Sequence, residues 1–285
     1  MSFAVVFALL SLILSGVNDI VFKIYSVGGR SRGMLLFGVG LIWTLSQLGI
    51  AQIQGTPLEF NQATLSFGLM AGVFLTLSNL MLLESLGSIE VSLATTIYRL
   101  NTIGVVLLSY FLLHESFGWL KGIGISLGLI AVFFLYKSQN HQTHQKQLLL
   151  FMGVAGVASL LRASYGISSK AGFLDGADRN SMLIIISASW VVGGAIYAIL
   201  REKRFRITWE KARFILISSV LIVGIVNFLM LAIEHGEAST VIPIANMSFV
   251  IALLLSVALK MEKMNMMKLG AITCAIGSIL LLSQS

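Results

Sequence analysis

The chain has 285 residues, 57% hydrophobic and only 11% charged, with a mean hydropathy of +0.93. A soluble globular chain carries about 25% charged residues, so water is excluded as the main solvent. The formal charge of +7 could suit nucleic acid in a soluble protein, but here the basic residues gather in short loops between apolar runs, which reads as membrane orientation and gives no nucleic-acid partner.

Long apolar runs joined by short polar connections predict a polytopic helical membrane protein, because only helices and closed barrels satisfy every backbone group in lipid. The alternating segments of about ten residues that a barrel needs are absent. Cys274 is the single cysteine, so no internal disulfide forms.

The first run spans about Phe3 to Tyr25. It lacks a preceding basic segment and is read as a retained helix, not a cleaved signal. Ser15, Asn18, Asp19 and Lys23 make its far end polar. A second run, about Met34 to Gln54, contains Trp43, and a third, about Ala63 to Leu86, carries Ser78, Asn79 and Glu84. The fourth, Glu90 to Glu115, is long enough to cross a bilayer yet holds Arg99 inside that length, at an insertion cost of about 2.5–3.5 kcal/mol at mid-membrane. In the fifth, about Gly118 to Tyr136, the Gly124 and Gly128 spacing admits a closely approaching helix.

The polar run Lys137 to Gln147 is the obvious linker. Its His141 and His144 have a metal-like spacing but no further ligands nearby, so they read as solvated linker, with no metal and no other cofactor expected. The second half repeats the plan, with spans near Leu148 to Lys170, Ser181 to Leu200, Ala212 to Glu234, Ala238 to Lys260 and Met266 to Leu282. Pro243 lies inside the ninth span and is expected to bend it.

A shift of 147 positions sets Glu90 on Glu237, Ser92 on Ser239, Ile97 on Ile244, Glu115 on Glu262 and Lys121 on Lys268, and Lys23 on Lys170. One offset over both halves indicates two copies of one module. Five spans per half is odd, so the copies enter the bilayer from opposite sides. The expected fold is an all-α membrane protein of ten transmembrane helices in two inverted five-helix repeats, residues 1–138 and 148–285 joined by the polar linker 139–147, with a site near the midplane. The side rich in basic residues, which includes the loop from Arg201 to Arg213, is expected in the cytoplasm, with both termini outside.

Polar side chains within the spans are the candidate site. Ser92, Thr95, Arg99, Thr102 and Ser109 share one face of the fourth span, a stripe that cannot face lipid. Arg99 is assigned to substrate; the alternative is an ion pair with Asp19 or Glu84. Arg162 on the sixth span, with Ser159, Gly166 and Ser169 on its face, is the second intramembrane arginine and matches Ser15 in the repeat. Its alternative is snorkelling towards an interface. Asp19 is the candidate proton-coupling carboxylate, or simply the partner of Lys23 one turn on. Asn227, close to the counterpart of Asn79, and Asn246, at the counterpart of Arg99, can hold a polar ligand or bond between helices. Tyr98, Tyr165, Trp43 and Trp190 either line a cavity or sit in aromatic belts.

The order of these features resembles the EamA-type drug/metabolite transporters: two five-span halves, a lysine ending the first span of each, and an acidic residue before a glycine-bearing last span (HESFGWLKGIGISLG and MEKMNMMKLGAITCAIG). The resemblance implies a ten-helix bundle around a central cavity and secondary transport of small metabolites, in a multi-pass protein of the bacterial inner membrane. Pro243 fits the family, whereas the fourth span has Thr96 at the matching position and an arginine three residues on.

The expected partners are therefore a small-molecule substrate, the lipid bilayer and a coupling proton, and oligomeric state is left open. Two arginines inside the spans suit a carboxylate or phosphate, as in an amino acid or related compound. Against an intramembrane enzyme, the chain has no HExxH, no GxSxG and no Cys and His cluster at metal spacing. A membrane scaffold or lipid-interacting protein is the other reading, but it has no need of buried arginines.

Overall fold

A computed structural model describes residues 2–86, 98, 101–137, 145–203, 205–260 and 263–284. Among them the secondary structure is helical: α1 (Phe3–Val27), α2 (Arg32–Gln54), α3 (Gln62–Leu86), α4 (Asn101–Leu112), α5 (Trp119–Lys137), α6 (Gln145–Leu174), α7 (Arg179–Leu200), α8 (Trp209–His235), α9 (Ala238–Asn246), α10 (Phe249–Ala258) and α11 (Met266–Leu282). Six segments are long and apolar enough to cross a membrane, the Ala238–Ala258 segment counted as one, and α4, α5 and α11 carry shorter apolar stretches.

Helix ends fall where a side chain can replace the lost backbone partner. Ser31 accepts from the Met34 N–H at 3.1 Å, Asn61 from Thr64 at 2.8 Å, Asp178 from Ser181 at 2.7 Å and Asn265 from Lys268 at 2.9 Å. Between these caps the sequence is nearly all apolar, so the helical ladder is the one way to satisfy its backbone away from water.

Each half packs against the other more than against itself. The main partners are α2 with α7, α3 with α6, α1 with α8 and α5 with α11. All four pairs run antiparallel, as their registers show. On α1 and α8, the Ser11 hydroxyl donates to the Ile225 carbonyl at 3.0 Å, and the rings of Tyr25 and Phe214 meet at 5.6 Å. On α3 and α6, Ser78 donates to the Ala158 carbonyl at 2.7 Å, while Thr64 accepts from the Asp178 N–H just past α6 at 2.9 Å. On α5 and α11, Ser278 donates to the Gly124 carbonyl at 2.6 Å, and a Cβ on Gly270 would meet Phe134 at 3.2 Å. The close approach expected at Gly124 and Gly128 is made by α11 and by the Met247 side chain.

The α2 and α7 pair changes chemistry along its length. At one end a Cβ on Gly33 would lie 2.5 Å from the Ala198 nitrogen and one on Gly194 2.4 Å from the Phe37 nitrogen, so backbone touches backbone and only glycine fits. At the other end Gln47 donates to Asn180 at 3.2 Å, and Asn180 donates to Gln54 and Thr56. Between the two ends Trp43 and Trp190 are buried against each other. These tryptophans are therefore core residues and not interfacial anchors.

Charge collects at the two ends of the bundle. Arg32 and Arg179, 147 positions apart, each pair with a carboxylate at the end of the third helix of their own half, Glu84 and Glu234. Around the first lie the Arg30–Glu210 pair, Tyr197 donating to Glu84, and Glu202 accepting from Ser31 and the Arg32 N–H. Around the second, Lys170 donates to the carbonyls of Ile233 and Gly236 at 2.9 and 2.8 Å, closing the end of α8 as basic side chains do at helix C-termini. Lys121, 2% exposed, pairs with Glu237 and donates to the Ser116 carbonyl and to Ser239.

The ninth span is interrupted, though not where its proline predicts. Pro243 withholds an N–H from the preceding turn, yet the break comes after it: Met247 and Ser248 donate to Ile244 and Ala245 at i→i+3 spacing, at 3.0 and 3.3 Å, and divide α9 from α10. Tight turns of this kind inside a helix commonly mark hinges.

Candidate functional site

Four helices from both halves, α1, α6, α8 and α9, border a narrow crevice. Its polar lining is Ser11 and Ser15 of α1, Arg162 and Tyr165 of α6, and Asn246 at the end of α9; Leu229, Ile233, Ile242 and Ala245 make the apolar wall. Gly166 completes it, and there a Cβ would lie 2.5 Å from Ile242.

Arg162 is half-buried and does not run to a helix end. Its guanidinium carbon lies 5.1 Å from the centre of the Tyr165 ring one turn on, a favourable placement of a cation over an aromatic face. Among the described residues no carboxylate pairs with it. Tyr165 is 1% exposed, and its hydroxyl has no hydrogen-bond partner there. Leaving such a group unmet costs about 1–3 kcal/mol, and the residue belongs to the crevice wall. Ser11 is already engaged with Ile225, whereas Ser15, the counterpart of Arg162 in the repeat, lines the same crevice.

Asn246 closes one side. Its amide donates to Asn101 at 2.6 Å and Thr102 at 3.1 Å, tying the end of α9 to α4. It also borders a smaller recess with Thr102, Gly128, Leu129, Val132, Met247 and Phe249. Asp19 lies one turn along α1 from Ser15, half-buried, accepting from the Ser248 hydroxyl at 3.5 Å. The carboxylate thus stands at the break between α9 and α10.

Of the residues selected from sequence, the structure brings Arg162, Tyr165 and Asn246 together. Arg99 and Thr95 lie outside the described residues, as does Ser92. Tyr98 is buried, its hydroxyl 3.3 Å from that of Ser78, and is not in the crevice wall. Asn227 is also elsewhere: it donates to Gln47 at 3.0 Å and accepts from it at 3.4 Å, because a membrane amide gains most from another amide across a helix interface. Glu84, the suggested partner of Arg99, engages Arg32 and Tyr197.

Sequence reading missed Ser11, although Ser11, Ser15 and Asp19 recur every four residues and make one stripe. It could not mark Leu229, Ile233, Ile242 and Ala245, which resemble every other apolar residue of their spans. Glu115 was likewise unassigned. Its carboxylate accepts from the N–H groups of Ala238 and Ser239 at 2.8 and 2.9 Å, capping α9 from the loop between α4 and α5.

The EamA-like transporter family matches residues 2–137 and again 149–284. The chain belongs to the EamA-like transporter family. No curated protein matches. Among solved structures, a crystal structure described only as "Crystal structure of protein" superposes with a TM-score of 0.83 at 14% identity, covering 99% of this chain and 96% of that one; it is similar in fold. An EamA-like transporter is a multi-pass integral membrane protein, and the apolar helices and double match agree with that. The crevice of this EamA-like chain is thus bordered by helices of both matched segments.

Proposed function

We propose that the chain is a secondary transporter working by alternating access on a small polar metabolite that bears a carboxylate or phosphate. Arg162 carries this reading: a guanidinium without a carboxylate partner among the described residues, in a crevice between the halves, is costly unless it serves an anion.

The ten spans form two inverted five-helix repeats, residues 1–138 and 148–285. Two observations support the inversion. Helices α2 and α7 hold equivalent places in the two halves, as do α5 and α11, and both pairs run antiparallel. The break between α9 and α10 beside the crevice is a further feature of transporters whose sites use discontinuous helices. Arg99, by its place opposite Asn246 in the repeat, is a second substrate contact with Thr95. Asp19 is the coupling carboxylate. The end carrying Arg30, Arg32 and Arg201 faces the cytoplasm of a bacterial cell.

The test is uptake into proteoliposomes with the purified protein. Arg162→Gln should abolish uptake of anionic metabolites while the variant still folds, and Arg162→Lys should retain a fraction because it keeps charge without the two-pronged geometry. Full uptake by a folded Arg162→Gln protein would refute the assignment.

A further inference from the structure

Resting on the transporter reading, we infer that the substrate of this crevice is a small aliphatic acid without an amino group, of the 2-oxo or 2-hydroxy acid class. The hydrogen-bonding balance of the wall leads to it. Among the described residues two groups of the wall that can donate have no fixed partner: the Arg162 guanidinium, and the Tyr165 hydroxyl one turn further along α6. Two donors at that spacing can hold one carboxylate together, the guanidinium through paired N–H groups and the phenol through a single O–H.

An α-amino acid brings its ammonium on the carbon next to that carboxylate, so the ammonium must share the crevice with Arg162. No Asp or Glu lines it among the described residues. The nearest carboxylate on the same stripe, Asp19, lies a full turn beyond Ser15 and is directed to Ser248 at the helix break. A half-buried ammonium beside a guanidinium, without a carboxylate of its own, carries both desolvation and like-charge repulsion. An oxo or hydroxyl oxygen in the same position meets neither cost, because it accepts a hydrogen bond from Tyr165 or Ser15.

The rest of the ligand is set by the apolar part of the lining. Leu229, Ile233, Ile242 and Ala245 present only carbon there, all four buried. That wall suits a short aliphatic chain and offers nothing to a sugar or nucleoside, whose hydroxyls would lose water without replacement.

Binding to the purified full-length protein would be measured by thermal shift and calorimetry, with a short series of aliphatic 2-oxo acids set against the amino acids of the same skeletons. The 2-oxo acids should raise the melting temperature and the matched amino acids should bind at least tenfold more weakly. Tyr165→Phe should weaken the oxo acids about tenfold, and Arg162→Lys should weaken them further without unfolding the protein. Amino acids that bind as tightly as their oxo acids, or oxo acids that bind equally to Arg162→Gln, would overturn the inference and leave the transporter reading intact. Oxo acids that bind as expected but are not moved across proteoliposomes would support the ligand class and overturn transport.

Discussion

The indole rings of Trp43 and Trp190 meet edge to face, their centroids 5.6 Å apart and their planes at 90°, and the two residues stand 147 positions apart, the offset that relates one half of the chain to the other. A residue can touch its own counterpart only close to the operator that relates two copies. This contact therefore marks where the approximate two-fold passes through the α2 and α7 interface. Ser15 and Arg162, also counterparts, both line the candidate crevice, where a hydroxyl in one half stands for a guanidinium in the other.

The tryptophans are held by packing alone, since neither indole N–H has a partner among the described residues. Trp43→Ala should cost about 3–5 kcal/mol, in line with removal of a large buried aromatic side chain. Trp43→Phe should cost clearly less, because it keeps much of the contact and loses no hydrogen bond. Denaturation of the two detergent-purified variants, compared with the wild type, measures the difference.

Gly194 has no room for a side chain. Gly194→Leu should push α2 away from α7 and destabilise the fold by about 1–3 kcal/mol or more, whereas Gly49→Leu, at a position with nothing within 4 Å of an added Cβ, should leave the melting temperature nearly unchanged. Equal melting temperatures for the two variants would contradict the backbone contact.

Glu115 caps α9 from outside its own helix. Removing the carboxylate in Glu115→Ala should cost about 0.5–2 kcal/mol, and hydrogen exchange should rise at Ala238 and Ser239 before it rises elsewhere in the ninth span. Glu115→Gln, which keeps an acceptor but not the charge that favours a helix N-terminus, should fall between.

Asp19 provides the coupling test. Asp19→Asn should stop uphill uptake driven by a pH gradient while leaving substrate exchange largely intact, because exchange need not release the proton. Loss of both activities to the same degree would assign Asp19 to holding α1 against the helix break.

Much of this architecture was readable from the sequence because lipid simplifies the code: backbone groups must be satisfied within each span, so length and apolarity alone mark most of the helices. The repeat was readable from Lys23 and Lys170, or Lys121 and Lys268, since charged residues are scarce enough for one offset to stand out. The site was only half readable. Arg162 and Tyr165 announce themselves as polar groups in an apolar run, and Asn246 does so as the counterpart of an arginine. Asn227 announces itself in the same way yet bonds to Gln47, because an amide satisfied by a ligand and one satisfied by another amide have the same sequence signature. The helix break escaped for a different reason. Its turn at Met247 and Ser248 comes from tertiary packing of Asn246 on α4 and Met247 against Gly128, and Pro243 is a misleading guide to its position.

On the proposed alternating-access reading, the two ends of the α2 and α7 interface differ in what it costs to part them. In the repeat, the pair Gln47 and Asn180 corresponds to Gly194 and Gly33, so one contact has been written twice in different chemistry, as amides at one end and as bare backbone at the other. Were the halves identical, the state open to one side and the state open to the other would be related by the two-fold and equal in free energy. Here water can take over the amide hydrogen bonds when that end parts, whereas parting the glycine end forfeits close backbone packing that water does not replace. The empty carrier should therefore rest open at the amide end, the end of Arg179 and Glu234, and substrate has to supply the free energy that unseats the glycines.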